Sequence, residues 1–262
     1  MKLALNLLLA LSVFALVAAT LLFTQQRRLI FPAPADYVQT PPPGFRLVHT
    51  RTDDGLRLSA FYRPAMPGRK TILFFHGNGD NMLGAIEATR GPAAAGHGLM
   101  LVEYRGYGGN PGSPDEAGLY RDGEAAMRWL AEAGVEPRNI VLVGNSIGSG
   151  PATEIALRHD VAALMLVSGL ADLPSVVKSQ VPVVPRRLVR DRFDNAAKLA
   201  RVKAPVYLMH GDADTLVTPV NLERLAGARP DATVARVAGA GHELAYTAPA
   251  QAILTEWVGG LR

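Results

Sequence analysis

Five short apolar runs, separated by longer stretches with helical character, constrain the fold of this chain more than any other feature of its sequence. Continuous apolar runs of this length are typical of strands that are buried on both faces. Their alternation with helical stretches predicts βαβ units and therefore a mostly parallel sheet in an α/β fold. The five runs are residues 71–76, 99–104, 140–143, 161–167 and 205–209.

An antiparallel hairpin is predicted ahead of these runs. Residues 45–52 and 56–63 are strand-like segments that flank an Asp-Asp-Gly turn signal. We expect this hairpin to form one edge of the sheet, so the folded domain is predicted over residues 45–262. Within the domain, residues 169–203 separate two strand-like runs and are predicted to form a short lid.

The N-terminus carries an apolar segment. No charged residue occurs between Lys2 and Arg27, and residues 3–23 are apolar apart from an asparagine, a serine and a threonine. Such a run is long enough to cross ~30 Å of hydrocarbon. Residues 1–26 are therefore predicted to be a membrane anchor or a signal segment.

Two features bear on the fate of this segment. Small residues around Ala18 and Ala19 would suit a signal-peptidase cut, but the apolar run continues to Phe23, which favours an uncleaved anchor. Positive charges flank both ends of the run, so the side of the membrane on which the domain lies stays open. Residues 27–44 include five prolines and are predicted to be an extended spacer that keeps the anchor apart from the active site.

The composition excludes several classes of function. The chain has no cysteine, which rules out a thiol nucleophile, a disulfide and any Cys-ligated metal site. Its 27 basic and 23 acidic residues are spread along the chain, so no nucleic-acid surface is expected. It has no phosphate-loop motif and no H-x-x-x-H pair, so neither a nucleotide cofactor nor a metal ion is expected.

Ser146 lies in a Gly-x-Ser-x-Gly motif. The sequence GNSIG at 144–148 follows the run 140–143 and opens a predicted helix, which is the strand–turn–helix setting of a nucleophile elbow. The serine of such an elbow is held in a strained turn, so the residues two before and two after it must be small. The alternative interpretation is a glycine-rich turn before an ordinary helix.

A serine nucleophile needs a general base and a carboxylate that orients the base, usually in the chain order serine, acid, histidine. His242 follows a β-type run and is the predicted base. Asp172, Asp212 and Asp214 are the candidate acids, because all three follow strand-like runs. An acid needs a few residues of turn before it can reach sideways to the histidine, which favours Asp214. Asp212 is then expected to form the turn, and Asp172 to cap the following helix.

A developing oxyanion on the substrate needs backbone N–H donors close to the serine. The turn HGNGD at 76–80 follows the run 71–75 and can present one such donor. We expect the backbone N–H groups of Asn78 and Ile147 to form the oxyanion hole. The alternative is a plain tight turn between a strand and a helix.

The predicted lid has an apolar part and a basic part. Residues 176–185 are largely apolar and include two prolines, which suits a fixed edge that meets an acyl chain, and residues 186–192 are rich in arginine. One interpretation places these arginines against anionic lipid headgroups. The other is a solvated surface on which the arginines pair with Asp191 and Asp194.

Together these motifs resemble those of the α/β-hydrolase superfamily, in particular its membrane-anchored ABHD-type serine hydrolases, a group that includes protein depalmitoylases. The resemblance covers about residues 27–250. It implies an eight-stranded, mostly parallel sheet with helices on both faces. It also implies a triad of Ser146, Asp214 and His242, with an oxyanion hole from Asn78 and Ile147. The matching segments are HGNGDN at 76–81, EYRGYGGNPGSPDEAGLYRD at 103–122, GNSIGSGPA at 144–152, DRFDN at 191–195, HGDADTLVTP at 210–219 and GAGH at 239–242.

The predicted function is therefore hydrolysis of carboxylic esters or thioesters by a Ser-His-Asp triad through an acyl-enzyme. The expected substrate is a small-molecule or lipid-like acyl compound, and a membrane is the expected partner of the N-terminal segment. Two alternatives stay open. One is an amidase or peptidase on the same scaffold, and the other is a catalytically idle, membrane-tethered binding protein.

Overall fold

All five apolar runs form strands of one sheet in the computed structural model, which describes residues 2–34 and 40–261. These strands are buried along almost their whole length. Within the described residues the sheet has eight strands, which confirms the predicted fold class. The strands are β1 (Arg46–Arg51), β2 (Arg57–Arg63), β3 (Thr71–Phe75), β4 (Gly98–Val102), β5 (Ile140–Asn145), β6 (Ala163–Val167), β7 (Val206–Gly211) and β8 (Thr233–Val237).

The strand order is β1-β2-β4-β3-β5-β6-β7-β8. β1 pairs antiparallel with β2, and β2 pairs antiparallel with β4. The remaining neighbours pair in parallel, as the alternation of runs predicted. The predicted hairpin is confirmed, with β1 outermost in the sheet. Its turn uses Gly55 at φ +90°, a conformation that glycine adopts without steric cost.

Helices fill the connections between the parallel strands and cover both faces of the sheet. A short 3₁₀ turn precedes α5, and others follow β8 and α6. The α-helices are α1 (Lys2–Ile30), α2 (Met82–Ala88), α3 (Arg90–Ala94), α4 (Glu116–Glu132), α5 (Ser149–Arg158), α6 (Leu173–Gln180), α7 (Asn195–Leu199), α8 (Val220–Ala228) and α9 (Ala248–Gly259).

Alternate residues of the central strand β3 pack into two separate cores. Leu73 and Phe75 belong to the core that includes side chains of α4 and α5. Ile72 and Phe74 belong to the core that includes side chains of α2 and α9. A strand that is buried on both faces therefore needs an unbroken apolar run, which is why the sequence pattern identified these strands.

The loops that follow β3, β5, β7 and β8 leave the sheet at the edge formed by the carboxyl ends of the strands, because parallel strands end together. This edge gathers segments that are far apart in the chain. All the predicted site residues lie in or next to these loops: Asn78, Ser146, Ile147, Asp214 and His242.

The apolar N-terminal segment is helix α1. Over Ala4–Ile30 it is long and apolar enough to cross a membrane, a test that a signal sequence also passes. The helix runs four residues into the range predicted as an extended spacer, and Phe31 after it is buried in the domain core. The predicted start of the spacer at residue 27 is therefore wrong, because Phe31 draws this stretch onto the domain. Residues 35–39 of the predicted spacer lie outside the described residues.

The lid consists of α6, α7 and the turns between them. Helix α6 extends to Gln180, so the first half of the apolar range predicted as a fixed edge is helical. The predicted pairing of lid arginines with Asp191 and Asp194 is also wrong. Asp191 accepts two hydrogen bonds from Arg27 of α1, and Asp194 caps α7. Both carboxylates are thus occupied by partners other than the lid arginines.

Candidate active site

A sharp turn between β5 and α5 carries Ser146, whose backbone lies in the left-handed region with φ +53°. A Cβ on Gly148 would lie 2.2 Å from the carbonyl O of Phe75, and a Cβ on Gly144 would lie 2.6 Å from the carbonyl O of Gly148. Both contacts are with backbone atoms, which cannot move aside as a flexible side chain can. The turn therefore has the geometry expected of a nucleophile elbow.

Replacing Gly148 with alanine is expected to destabilise the protein by about 1–3 kcal/mol, because β3 must shift to admit the methyl group. Gly227 provides the matched control, since it lies in α8 and a Cβ there meets nothing within 4 Å. Gly227→Ala should be neutral or slightly stabilising. Urea unfolding of the detergent-solubilised chain compares the two, and equal midpoints would contradict the steric account of the elbow.

His242 stands between the serine and a carboxylate. Its Nε2 lies 3.0 Å from Ser146 Oγ, and its Nδ1 lies 2.9 Å from Asp214 Oδ2. Ser146 and Asp214 are buried, whereas His242 is partly exposed. With its Nδ1 proton donated to Asp214, the imidazole can accept the serine proton at Nε2. The structure thus brings the three predicted residues into one hydrogen-bonded chain, although 96 residues separate His242 from Ser146.

The loop after β7 holds Asp214. Its Oδ1 accepts hydrogen bonds from the backbone N–H groups of Leu216 and Val217, at 3.0 and 2.9 Å. Burial alone would raise the pKa of this carboxyl, but hydrogen bonds from His210, His242 and Val217 outweigh burial and hold the pKa well below its usual range. His242 is the closer histidine, since His210 Nε2 lies 3.4 Å from the carboxylate and 2.6 Å from the carbonyl O of Val217. Asp214 is therefore ionised and can orient the imidazole.

The two other candidate acids have structural partners. Asp212 Oδ1 accepts a hydrogen bond from the backbone N–H of Gly239 at 2.7 Å, which ties the turn after β7 to the loop after β8. Asp172 accepts one from the backbone N–H of Ser175 at 2.7 Å and caps α6, and it also pairs with Arg224. The sequence-based expectations of a turn residue and a helix cap are confirmed for these two positions.

The expected oxyanion donors lie close to the serine. A Cβ on Gly77 would be 3.7 Å from Ser146 Cβ, so the turn 76–80 lies beside the elbow. Within residues 2–34 and 40–261, the backbone N–H of Asn78 donates no hydrogen bond. Ile147 lies in the first turn ahead of α5, where backbone N–H groups lack partners within a helix. This placement matches what an oxyanion hole requires.

Two residues that the sequence interpretation missed support this turn. Glu103, after β4, lies 3.1 Å from His76 Nε2 and accepts a hydrogen bond from Met82 N at 3.0 Å. Burial alone would lower the pKa of His76, but the hydrogen bond and charge of Glu103 outweigh burial and raise it. Tyr104 Oη donates to the carbonyl O of His76 at 2.9 Å. The sequence feature that could have identified them is the Glu-Tyr pair at the end of a buried run, at the same edge of the sheet as the other site residues.

The end of α1 touches the oxyanion turn. Asn78 Nδ2 donates to the carbonyl O of Ile30, and Asn78 Oδ1 accepts a hydrogen bond from Tyr107 Oη at 2.8 Å. The backbone N–H of Gly108 donates to the carbonyl O of Pro34 at 2.8 Å. The expectation that the N-terminal segment lies apart from the active site is therefore wrong, because its last turn binds the side chain of a predicted oxyanion residue.

An ion-pair network also fixes α1 to the domain. Arg27 Nε and Nη2 donate to the two oxygens of Asp191 at 2.9 and 3.0 Å, and Nη1 lies 2.9 Å from Asp115 Oδ2. Asp191 is buried, and Phe31 packs edge-on against Phe193 with ring centroids 6.4 Å apart. Polar and apolar contacts together hold the helix end in one position.

Replacing Arg27 with glutamine is expected to lower the free energy of unfolding by about 1–3 kcal/mol. A buried pair that loses one partner costs ~3–5 kcal/mol, and the Arg27 side chain, which is 35% exposed, warrants a smaller figure. Arg28 is the matched control, because it is exposed and has no carboxylate partner in the part of the chain that the structure describes. Thermal unfolding of the full chain in detergent measures both; Arg28→Gln should have little effect, and similar losses for the two variants would contradict the network.

Known proteins resemble this chain in sequence. A family profile described as alpha/beta hydrolase fold matches residues 70–203. A Mycobacterium tuberculosis protein named Uncharacterized protein MT2364 is 37% identical over 243 residues, which cover 88% of this chain and 86% of that protein. The human alpha/beta hydrolase domain-containing protein 17B is 32% identical over 174 residues, which cover 64% of this chain and 58% of that protein.

Solved structures share its fold. An alpha-beta hydrolase from Vibrio vulnificus superposes with a TM-score of 0.69 at 21% identity, over 83% of this chain and 80% of that one. The esterase domain of a Rhodothermus marinus protein gives a TM-score of 0.64 at 18% identity, over 81% of this chain and 97% of that one. Likeness at these identities establishes the fold alone.

Proposed function

Because this chain belongs to the α/β-hydrolase family, we propose that it is a serine hydrolase that cleaves carboxylic ester or thioester bonds through an acyl-enzyme. The hydrogen-bonded chain from Ser146 through His242 to Asp214 is the observation that carries this proposal. Family membership supports a hydrolase, and the triad geometry supports a nucleophile, a base and an orienting acid.

In the acylation half of the reaction, Ser146 Oγ attacks the carbonyl carbon of the substrate while His242 Nε2 takes the hydroxyl proton. The bond to the leaving oxygen or sulfur then breaks, and His242 gives its proton to the departing alcohol or thiol. Asp214 stays ionised throughout and stabilises the imidazolium. The product is an ester between the acyl group and Ser146.

In the deacylation half, His242 takes a proton from a water molecule, which attacks the carbonyl carbon of the acyl-enzyme. The bond to Ser146 Oγ breaks, the serine regains its proton from His242, and the carboxylic acid leaves. The backbone N–H groups of Asn78 and Ile147 would stabilise the oxyanion in both halves. Each such donor is worth about 10²–10³-fold in kcat in a comparable site.

We also propose that α1 is an uncleaved membrane anchor. Its apolar length supports this assignment, as does the continuation of the apolar run beyond Ala19 to Phe23. The expected substrate is a small-molecule or lipid-like acyl compound. Mass spectrometry of the protein extracted from membranes checks the anchor, because cleavage by a signal peptidase would remove the first nineteen or so residues.

The hydrolase proposal is tested with the full chain in lipid nanodiscs and a matched series of ester, thioester and anilide substrates that share the same acyl groups. We expect a burst of one equivalent of alcohol or thiol, and an acyl adduct on Ser146 detected by mass spectrometry. Faster turnover of the anilides than of the esters would favour the amidase alternative. Absence of turnover and of adduct with every substrate would favour a binding protein.

A further inference from the structure

Residues 181–190, here named the lip, contact α1 at the end of its apolar run. Gln26 Nε2 donates to the carbonyl O of Leu188 at 3.1 Å, and Gln26 Oε1 accepts from the backbone N–H of Arg190 at 2.8 Å. The Arg190 guanidinium carbon lies 5.8 Å from the centre of the Phe23 ring. The lip therefore lies beside the point where the apolar part of the helix ends.

The height of the lip relative to a bilayer follows from the helix. An α-helix rises 1.5 Å per residue, so Gln26 lies only about 5 Å beyond Phe23. The headgroup region of a bilayer is roughly 5–8 Å thick on each side of the hydrocarbon. If α1 spans a membrane, as proposed above, Leu188 and Arg190 lie at the depth of the headgroups.

The lip also exposes apolar side chains. Val183 is 87% exposed, and Val181 and Leu188 are also exposed. When exposed apolar side chains beside a membrane segment insert between headgroups, burial of their apolar surface lowers the free energy of the system. This apolar surface therefore suits the acyl boundary, the level of the bilayer where the headgroups meet the acyl chains.

The charge of the lip also suits a membrane surface. Arg187 and Arg190 are exposed, and neither has a carboxylate partner within the described residues. Asp191, the nearest acidic residue in sequence, is buried against Arg27 instead. Arg186, the third arginine of the lip, pairs with Asp172 at 3.0 Å. The unpaired positive charge of the lip therefore comes from Arg187 and Arg190, and anionic headgroups attract such charge.

We propose that the lip lies on an anionic bilayer, with Val183 at the acyl boundary and Arg187 and Arg190 among the headgroups. The inference rests on the proposed anchor and adds a second membrane contact that α1 alone does not provide. Because α1 is fixed to the domain, a second contact restrains the tilt of the domain relative to the bilayer. Because Gln180, just before the lip, donates to the carbonyl groups of Thr215 and Leu216 next to Asp214, the bilayer contact is linked to the loop that carries the acid.

The absence of cysteine from the chain allows a direct measurement of depth. The variants Val183→Cys, Val234→Cys and Ser12→Cys are each labelled with a nitroxide in the full chain and reconstituted at one copy per nanodisc with about one-third anionic phosphatidylglycerol. Val234 is exposed at the start of β8, at the opposite end of the strands from the site, and Ser12 lies within α1. Electron paramagnetic resonance then compares collisions with oxygen, which enriches in lipid, and with a nickel chelate, which stays in water.

The label at 183 is expected to show an oxygen-to-nickel ratio several-fold above that at 234 and closer to that at 12. A water-like label at 183 with a lipid-like label at 12 overturns the lip contact while the anchor stands. A water-like label at 12 overturns the anchor itself, independently of hydrolase activity. Protection at 183 that requires several chains per disc assigns the surface to a second copy and overturns the proposal.

A charge test completes the experiment. One basic residue near an anionic surface contributes about fivefold to binding, so Arg187→Gln with Arg190→Gln should lower the ratio of docked to undocked lip by roughly 20–30-fold. Arg57→Gln with Arg69→Gln removes the same charge from exposed positions elsewhere in the domain and should leave the label at 183 protected. Equal effects of the two pairs, or no effect of the lip pair, would overturn the headgroup contact.

Discussion

Replacing Ser146 with alanine should lower kcat for an activated ester by about 10⁶-fold, as loss of the nucleophile does in a comparable triad. Without the hydroxyl no acyl-enzyme forms, and hydrolysis depends on water bound near the oxyanion donors. A fluorophosphonate, which reacts with activated serines, should label the parent protein and fail to label Ser146→Ala. Rates on one activated ester and gel fluorescence of the probe measure both effects.

Ser113→Ala serves as the control for this experiment, since Ser113 is exposed and lies outside the Gly-x-Ser-x-Gly turn. The control should keep both its rate and its labelling. Equal probe labelling of Ser146→Ala and the parent would show that another residue is the nucleophile, and the proposed mechanism would then fail.

Replacing Asp214 with asparagine should lower kcat by about 10⁴-fold, the loss seen when an orienting acid is neutralised in a comparable triad. An amide at this position can donate to Nδ1, which would leave the proton on Nε2 and make the imidazole unable to accept the serine proton. The shape of the side chain is nearly unchanged, so the loss reflects the tautomer of His242. Steady-state rates measure the effect, with circular dichroism to confirm that the variant is folded.

Asp212→Asn and Asp172→Asn are the matched controls, because both remove a carboxylate from a loop at the same edge of the sheet. Each should keep kcat within about tenfold of the parent, since these acids hold a turn and a helix cap. A loss for Asp172→Asn greater than that for Asp214→Asn would move the acid to the loop after β6.

Features that depend on residues close together in the chain could be predicted from the sequence. The five buried runs identified their strands, because a strand covered on both faces has no position where a polar side chain is tolerated. The elbow was recognisable for a similar reason: the turn at Ser146 forces its flanking glycines against backbone atoms of β3 and α5. Physical constraints of this kind act within a few residues and leave a readable pattern.

In this fold the serine, the acid and the histidine follow parallel strands that end at the same edge of the sheet. Their order in the chain is therefore readable in the sequence, and these residues could also be predicted. Three aspartates that follow strand-like runs satisfied that order, and the argument from turn length favoured Asp214 without any contact to confirm it. The hydrogen bonds that distinguish them, which Asp214 accepts from His242 and Asp212 accepts from Gly239, span 28 and 27 residues. Only the folded chain brings those pairs together.

The fold class, the strand positions and the residue types of the site could all be predicted from the sequence, because each depends on local burial or on the order of segments. The position of α1 on the domain depends on tertiary contacts instead. Its contacts join Ile30 to Asn78 across 48 residues and Arg27 to Asp191 across 164. Proline content suggested a free spacer, but the burial of Phe31 and the pairing of a buried carboxylate outweighed that local preference. Partners so distant in sequence leave no periodic signal, since the favourable free energy of their contact arises only when the domain has folded around them.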